Sequence, residues 1–329
     1  MTQQTPVAAQ PAAHAAGLAH VPITVFASVM GVAGLGLAWR KAAPLLGLPA
    51  AIGEAMLVLA GILFVAALVT YALKLVRHPA ACKGEFNHPI RSSFFAAFSI
   101  GLLLLATGAH PHAPKAAEAM WVIGALAQFG ITVRVFARWI VHKQELAHAN
   151  PAWFIPIVGN IIVPILGVRL GQADVSWFFF SVGMALWLPM LAIILNRVIF
   201  HDDLPPRLVP TLFILVPPPA IGYLAYTTLV GGADAFANVL VNLALFITMV
   251  LLVMGPRFAR LPFAVSWWAF TFPLDAAALA ALEHGHRNPG NWLFAIAAPV
   301  LLGLATMVVA LVLARTAAGT VKGTLFVPE

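Results

Sequence analysis

Three residues inside a long apolar stretch combine the side chains from which a gate could be built. Phe272, Pro273 and Asp275 follow one another closely in SWWAFTFPLD (266–275). Phenylalanine is a large apolar block, and proline bends a helix because it lacks a backbone N–H. A carboxylate within a membrane is costly unless it is paired, hydrated or protonated. Phe272 is therefore either a block in a membrane pathway or one of 22 phenylalanines that merely packs, and Asp275 is a functional candidate beside it.

Three roles remain open for Asp275. The carboxyl can carry a proton that is coupled to transport, or it can pair with Arg134, the most deeply placed cation of the chain. It can also lie in an aqueous vestibule beyond the narrow part of the pathway. A fixed negative charge inside a narrow lumen would repel anions, so the three roles predict different effects of removing the charge.

The other polar residues in the apolar stretches are weaker candidates. Asn160, on a stretch rich in proline, presents an amide to a passing anion or satisfies a carbonyl that proline has freed. The histidines of HPH (110–112) and HGH (284–286) fit a metal site or a proton sensor, but we expect solvated loop residues. The chain has no Ser/His/Asp arrangement, no phosphate-binding glycine loop and no Cys/His metal spacing. The sequence therefore predicts no catalytic residue, no metal and no cofactor, and favours transport over a membrane enzyme.

The composition places these residues in a membrane. Of 329 residues, 62% are hydrophobic and 9% charged, and the mean hydropathy is +0.96, whereas soluble domains carry about 25% charged residues. Ten stretches have the length of about 20 residues that a bilayer requires, and only Arg134, Arg138 and Asp275 interrupt them with a charge. We number them span one to span ten: 21–39, 55–73, 92–109, 119–140, 151–168, 177–195, 208–230, 235–254, 261–282 and 292–314.

The spans form one predicted ten-helix membrane domain, residues 21–315, between a disordered cytoplasmic tail, 1–20, and a short C-terminal tail, 316–329. The first 20 residues contain no Lys or Arg and lack the start of a signal peptide. Ten spans put both termini on one side, which holds 12 basic residues against 5 on the other, Arg134 lying within span four. The positive-inside rule then predicts cytoplasmic termini.

The loops argue against a nucleic-acid-binding protein, and the cysteine content argues against a protein built on disulfides or on a cysteine metal site. The net charge is +7, but the basic residues are spread over the loops and form no dense run. We therefore expect no nucleic-acid partner. The single cysteine, Cys82, excludes a disulfide framework and a cysteine metal cage.

Proline and glycine interrupt the odd-numbered spans more often than the even-numbered ones. Backbone carbonyls freed by proline cannot face lipid, so broken helices belong against protein or a cavity. The odd spans are therefore predicted to form an inner ring of five helices around a pore, each paired with an even helix in a hairpin that is repeated five times. Besides Phe272 and Pro273, the candidates to line or kink that pore are Phe26, Phe94, Phe154, Phe213, Gly31, Gly101, Pro156, Asn160, Pro217 and Pro218.

Several stretches resemble the tellurite-resistance/dicarboxylate transporter (TehA-like) family, which includes the slow anion channels of plants. They are VFASVMGVAGLGLAW (25–39), HPIRSSFFAAFSIG (88–101), NPAWFIPIVGNIIVPILG (150–167), VPTLFILVPPPAIGYLAY (209–226) and SWWAFTFPL (266–274). The resemblance covers roughly residues 20 to 315. It implies five helical hairpins around a pore, assembly as a homotrimer, and conduction or transport of anions. The family's aromatic-Thr-Phe-Pro pattern places an occluding phenylalanine of the ninth helix at Phe272.

We therefore expect an anion channel or channel-like transporter of a bacterial inner membrane. The alternative is a proton-coupled carrier for C4-dicarboxylates or another weak-acid anion, including tellurite or sulfite efflux, with Asp275 as the coupling group. The absence of a nucleotide-binding motif argues against a primary pump. The expected partners are small inorganic or organic anions and the lipid bilayer.

Overall fold

The computed structural model describes residues 17–326, and every regular element in this range is a helix. Nine helices within the described residues are long and apolar enough to cross a bilayer. The prediction of an all-helical membrane protein is thereby confirmed. Residues 1–16, most of the predicted N-terminal tail, and residues 327–329 lie outside the described range.

The even-numbered spans are uninterrupted α-helices. Because such helices satisfy their own backbone hydrogen bonds, they can face lipid. The last of them extends to Val321 and so includes residues 316–321, which were predicted to belong to the C-terminal tail. The five helices are Ala50–Arg77, Pro114–Val141, Ala173–Phe200, Ala235–Val253 and Trp292–Val321.

The odd-numbered spans begin with a 3₁₀ helix and continue as an α-helix. A 3₁₀ helix has 3.0 residues per turn, so its side chains follow a different angular course from those of the α-helix after it. The pairs are Ile23–Val25 with Phe26–Leu46, Arg91–Phe95 with Ala96–Ala109, Val209–Leu215 with Pro217–Val230, and Val265–Phe270 with Thr271–Arg287. A short helix, Leu18–His20, precedes span one, and the short helices in the connections are Pro79–Asn87, Leu146–His148 and Gly255–Ala259.

Span five changes helix type more often than any other span of the described chain. It is a shorter apolar segment, Pro151–Gly167, beside the nine long helices of the described chain. It changes between helix types three times, in the order Pro151–Trp153 (3₁₀), Phe154–Val158 (α), Gly159–Ile162 (3₁₀) and Val163–Gly167 (α). The prediction of ten crossing helices in five hairpins thus stays a prediction at this segment.

Burial separates the two classes of span. In the most apolar stretch of spans one, three, seven and nine, 61% to 72% of the residues are buried, against 22% to 33% in the even spans. In span five every residue of 151–164 is buried. The broken segments therefore lie inside the protein, where protein groups and not lipid surround their freed carbonyls.

The odd spans pack against one another in a closed order. Span one contacts span three, span three contacts span five, span five contacts span seven, span seven contacts span nine, and span nine returns to span one. Glycine permits the last contact, because a methyl group at Gly31 would lie 2.1 Å from Thr271 Oγ1. This order agrees with an inner ring, while the ring around a conducting pore stays a prediction.

The two ends of the described chain meet. The backbone N–H of Gly17 donates to the carbonyl of Phe326 at 3.2 Å. Both ends therefore lie on the same face of the helical assembly, as an even number of crossings requires.

Candidate ion pathway

One cavity of about 970 Å³ is lined by residues from all five odd spans. We call it the central cavity. It reaches from His20 and Leu325, near the two ends of the described chain, to Phe272 on span nine. The lining residues furthest along the other four odd spans are Met30, Ile100, Ile162 and Ile221. The central cavity thus opens on the face of the termini and ends at the level of Phe272.

Beyond this level the odd spans close against one another. All residues of 31–36, 101–106 and 273–278 are buried. On these three spans the next partly exposed residues are Leu37, Thr107 and Leu279, whereas on spans five and seven partly exposed residues begin already at Ile165 and Leu224. We call the buried stretch of spans one, three and nine the neck, which is about 10 Å long at 1.5 Å per residue.

Phe272 lies where the central cavity meets the neck. Only 6% of its surface is exposed. Its ring packs on Gly34 of span one, where a methyl group would come within 3.1 Å of Phe272 Cδ2. This is the position expected of a gate, and the gating role itself stays a prediction.

Asp275 is not in an aqueous vestibule. None of its surface is exposed, and it does not line the central cavity. Its carboxyl packs on Gly34, where a methyl group would lie 2.8 Å from Oδ2. Neither carboxyl oxygen has a hydrogen-bond partner within residues 17–326. The vestibule interpretation is therefore wrong for this structure, because the contact between spans one and nine covers the carboxyl completely.

Arg134 is not the partner of Asp275 either. Its guanidinium lies over the ring of Phe86, 5.8 Å from the centroid, and the residue is exposed. Phe86 belongs to the short helix Pro79–Asn87 at the cytoplasmic end predicted for span four. The interpretation as a buried ion pair fails because Arg134 points outward from an even span, whereas Asp275 points into the contact between two odd spans.

Some of the residues predicted to line or kink a pore do line the central cavity. Phe94 and Phe154 stand near the beginnings of spans three and five, and Pro217 begins the α-helix of span seven. Pro273 follows the gate candidate at the deep end. These four residues, with Phe272, share one connected space.

Two of the predicted phenylalanines pack elsewhere. The ring of Phe26 lies 5.4 Å from that of Phe98 on span three, and Phe213 lies 5.1 Å from Phe258 and 5.0 Å from Phe270. Neither lines the central cavity. The helix type does not separate them from Phe94 and Phe154, because Phe94 also belongs to a 3₁₀ helix and Phe154 also follows one directly.

The predicted glycines and Pro218 also lie away from the central cavity. A methyl group at Gly31 would meet Thr271, and one at Gly101 would come 3.2 Å from Val29 Cγ1. Both glycines therefore let span one approach its neighbours, which is a packing role common between membrane helices. Pro218 is buried in the first turn of its helix and does not contact the cavity.

Pro156 and Asn160 belong to a polar network that fixes span five. The carbonyl of Pro156 accepts hydrogen bonds from Gln128 Nε2 at 2.9 Å, Thr132 Oγ1 at 2.7 Å and Asn160 Nδ2 at 3.1 Å. Ser99 Oγ donates to Gln128 Oε1 at 2.7 Å. Neither Pro156 nor Asn160 lines the central cavity. Of the two roles considered for Asn160, the structure shows the satisfaction of a backbone carbonyl.

The neighbouring polar side chains that complete this hydrogen-bond network were not identified from the sequence. Gln128 and Thr132 lie on span four and Ser99 on span three, and all three are buried. Their signal was an amide and hydroxyls within apolar helices, which in a membrane indicates an internal hydrogen bond. Met30 and Gly34 were also missed, because no residue type marks an aliphatic or glycine position as the end of a cavity.

The charged side chains that line the central cavity are mostly basic. Lys74, Arg91 and Arg207 carry positive charge, and Glu85 carries the one negative charge among the described lining residues. Lys74 Nζ lies 2.9 Å from Glu85 Oε2, and both side chains are buried. Glu85 Oε1 also accepts from the backbone N–H of Ile23 at 2.7 Å. This buried pair attaches span two and the short helix Pro79–Asn87 to the beginning of span one.

Comparison with known protein families identifies the family of this chain. The family described as SLAC1, voltage-dependent anion channel, matches residues 20–317. The chain belongs to this family. The family resemblance found in the sequence is thereby confirmed, and the match covers nearly the same residues as the predicted membrane domain.

Individual relatives come from plants and bacteria. The chain is 28% identical over 307 residues to the S-type anion channel SLAH3 of Arabidopsis thaliana, with 91% of this chain and 48% of the plant protein covered. It is 28% identical over 227 residues to the guard cell S-type anion channel SLAC1 of the same plant, covering 67% and 41%. The tellurite resistance protein TehA homolog of Haemophilus influenzae is 26% identical over 290 residues, covering 86% and 88%. The chain thus spans about half the length of these plant relatives.

Proposed function

We propose that the chain is an anion channel, in which ions cross between the odd spans and Phe272 closes the passage. The observation that carries this proposal is the central cavity, to which all five odd spans contribute and which ends at Phe272. Beyond the neck, spans one, three and nine again carry partly exposed residues. A passage closed over only about 10 Å is what a gated pore requires in its closed state.

The relatives support anions as the cargo, because the plant proteins SLAH3 and SLAC1 are named S-type anion channels. Among the described lining residues of the central cavity, Lys74 pairs with Glu85, and Arg91 and Arg207 are the other side chains with a formal charge. Small inorganic or organic anions are therefore the proposed substrates, and transport rather than catalysis is the proposed activity.

The gate is tested by Phe272→Ala in planar bilayers. Removal of the ring should raise chloride conductance by at least about tenfold. This corresponds to a barrier to ion passage that is lower by at least about 1.4 kcal/mol. Phe270→Ala is the matched control, since Phe270 is buried on the same span but packs on Phe213 and Phe258 outside the central cavity. The control should conduct like the wild type.

The two possible failures of this test have different meanings. A folded Phe272→Ala protein with wild-type conductance would show that Phe272 only packs. If neither the wild type nor Phe272→Ala carries an anion current under any condition, the channel proposal itself is wrong.

A second candidate is a proton-coupled carrier for C4-dicarboxylates or another weak-acid anion such as tellurite or sulfite. Asp275 favours it, because a carboxyl buried in a membrane without a partner among the described residues is a functional candidate by default. A carrier would take up malate in response to a pH gradient, and Asp275→Asn would abolish that uptake while exchange survives. Discrete unitary currents in the wild type would instead support the channel.

We also propose that the protein lies in a bacterial inner membrane as a homotrimer with both termini in the cytoplasm. The distribution of basic residues and the contact between Gly17 and Phe326 support the placement of the termini, and the family resemblance supports the trimer. Cys82 is buried and makes a poor reporter. Exposed Lys322, replaced by cysteine in a Cys82→Ser background, is a better one.

The reporter cysteine should resist an impermeant thiol reagent that is added to intact cells, and it should react after lysis. Labelling in intact cells would reverse the orientation. The mass of the purified complex, measured with its detergent subtracted, checks the trimer.

A further inference from the structure

Asp275 and Phe272 rest on the same residue of span one. A methyl group at Gly34 would lie 2.8 Å from Asp275 Oδ2 and 3.1 Å from Phe272 Cδ2. Asp275 follows Phe272 by three residues on the helix Thr271–Arg287, so the two side chains lie on neighbouring faces. The carboxyl and the candidate gate therefore pack as one unit against span one.

The carboxyl is buried without compensation. None of the surface of Asp275 is exposed, and both of its oxygens are without a hydrogen-bond partner in the described part of the chain. An ionised carboxylate in such a place is far more costly than a neutral carboxyl. The packed arrangement is therefore that of the protonated side chain.

No ion pair with the surrounding elements offsets a charge at this position. Their titratable residues are Arg40 and Lys41 on span one, Tyr223 and Tyr226 on span seven, Arg315 on span ten, and Glu283, His284, His286 and Arg287 on span nine itself. Lys41 pairs with Glu283, and Arg40 pairs with Glu54. Lys41 and Glu283 stand seven and eight residues beyond Gly34 and Asp275, about 10 Å along their helices.

We propose that Asp275 is a proton-binding site that latches the closed gate. The closed state holds the proton, and opening releases it. Ionisation requires water at the carboxyl, which separates span nine from Gly34, and the ring of Phe272 loses the same support. With one proton released on opening, the ratio of open to closed channels rises with pH by at most about tenfold per unit.

This inference rests on the proposed function and deepens it by naming a regulator of the gate. It differs from coupled transport, because the proton leaves Asp275 when the gate opens and does not cross with each anion. A pH gradient should therefore change the chloride conductance without shifting the chloride reversal potential.

The experiment compares chloride conductance from acid to alkaline pH in four proteins. The wild type should conduct more as pH rises. Asp275→Asn should stay closed at every pH, because the neutral amide keeps the packed arrangement. Phe272→Ala should conduct at every pH, because the latch has no ring to hold. Glu283→Gln, which removes another carboxyl of the same helix, should keep the wild-type pH response.

Three results would each overturn the latch: a wild-type conductance that does not change with pH, a wild-type pH response in Asp275→Asn, or a pH response that survives in Phe272→Ala. The Phe272→Ala measurement decides the matter if Asp275→Asn does not fold. The proposed function survives these failures as long as Phe272→Ala conducts chloride. A reversal potential that follows the pH gradient would replace the latch by coupled transport.

Discussion

Replacement of Thr132 by valine should loosen span five, and Thr248→Val is its matched control. Both threonines are buried on even spans, and valine has nearly the same shape. Thr132 Oγ1 lies 2.7 Å from the carbonyl of Pro156 and accepts from Asn160 Nδ2 at 2.9 Å, so it connects span four with span five. Thr248 Oγ1 donates at 2.7 Å to Ala244 of its own helix. The pair of variants therefore isolates the bonds between spans.

The magnitude follows from how many of these bonds are lost. The hydroxyl of Thr132 has one hydrogen, and the carbonyl of Gln128, also at 2.7 Å, competes with Pro156 for it. Valine therefore removes one accepted bond and part of one donated bond between the spans. Such bonds contribute about 0.6 kcal/mol on average and up to about 1.7 kcal/mol in membrane proteins. The carbonyl of Pro156 keeps its other two donors. We expect the free energy of unfolding to fall by about 1 kcal/mol.

Thermal unfolding in one detergent, followed by intrinsic fluorescence, measures this effect. A loss of about 1 kcal/mol lowers the midpoint by about 2 °C in a protein of this size, and Thr248→Val should leave it unchanged. Equal midpoints for the two variants would show that the network does not hold span five. A loss above about 3 kcal/mol would also contradict the reasoning, because it would mean that a buried carbonyl had been left without a donor.

The remaining predictions concern close packing and the buried ion pair. Gly34→Ala should raise chloride conductance, because the added methyl group would lie 2.8 Å from Asp275 Oδ2 and 3.1 Å from Phe272 Cδ2. Gly303→Ala on span ten, where a methyl group meets nothing within 4 Å, should leave conductance unchanged; equal conductance of the two variants would refute the contact. Lys74→Met should lower the free energy of unfolding by about 3–5 kcal/mol, since it leaves Glu85 buried without its cation. Lys74→Met combined with Glu85→Gln should recover much of that loss in thermal unfolding, and no recovery would contradict the pairing.

Proline and glycine made the division into inner and outer helices predictable. Pro156 and Pro217 lie in segments that are irregular and buried, while the even spans are continuous helices with a large exposed fraction. The physical reason is that a freed carbonyl must be satisfied by protein, so a broken segment is driven inward. The clustering of the prolines matters, because the single prolines Pro189 and Pro299 leave spans six and ten as continuous helices.

The direction of individual side chains was not predictable in the same way. Phe94 and Phe154 line the central cavity, but Phe26 and Phe213, at comparable places on their spans, do not. Phe94 and Phe213 both lie within the 3₁₀ segment of their spans, and Phe26 and Phe154 both directly follow one. The direction of each ring therefore depends on how its span packs against its neighbours, which the sequence does not state. The environment of Asp275 was also hidden, because it depends on Gly34 from a helix far away in sequence.

The composition of the neck supports the proposal that one side chain closes the passage. On span one the neck runs from Gly31 to Gly36, and on span nine it ends in three alanines, 276–278. The glycines let the two spans approach closely, because methyl groups at Gly31 and Gly34 would meet Thr271, Asp275 and Phe272. At the same level, spans three, five and seven contribute isoleucines, which are smaller than the ring of Phe272. In the proposed gate, displacement of this ring removes the largest side chain at this level, so the gate would be sensitive to whatever supports the ring. That support is Gly34, which Asp275 shares.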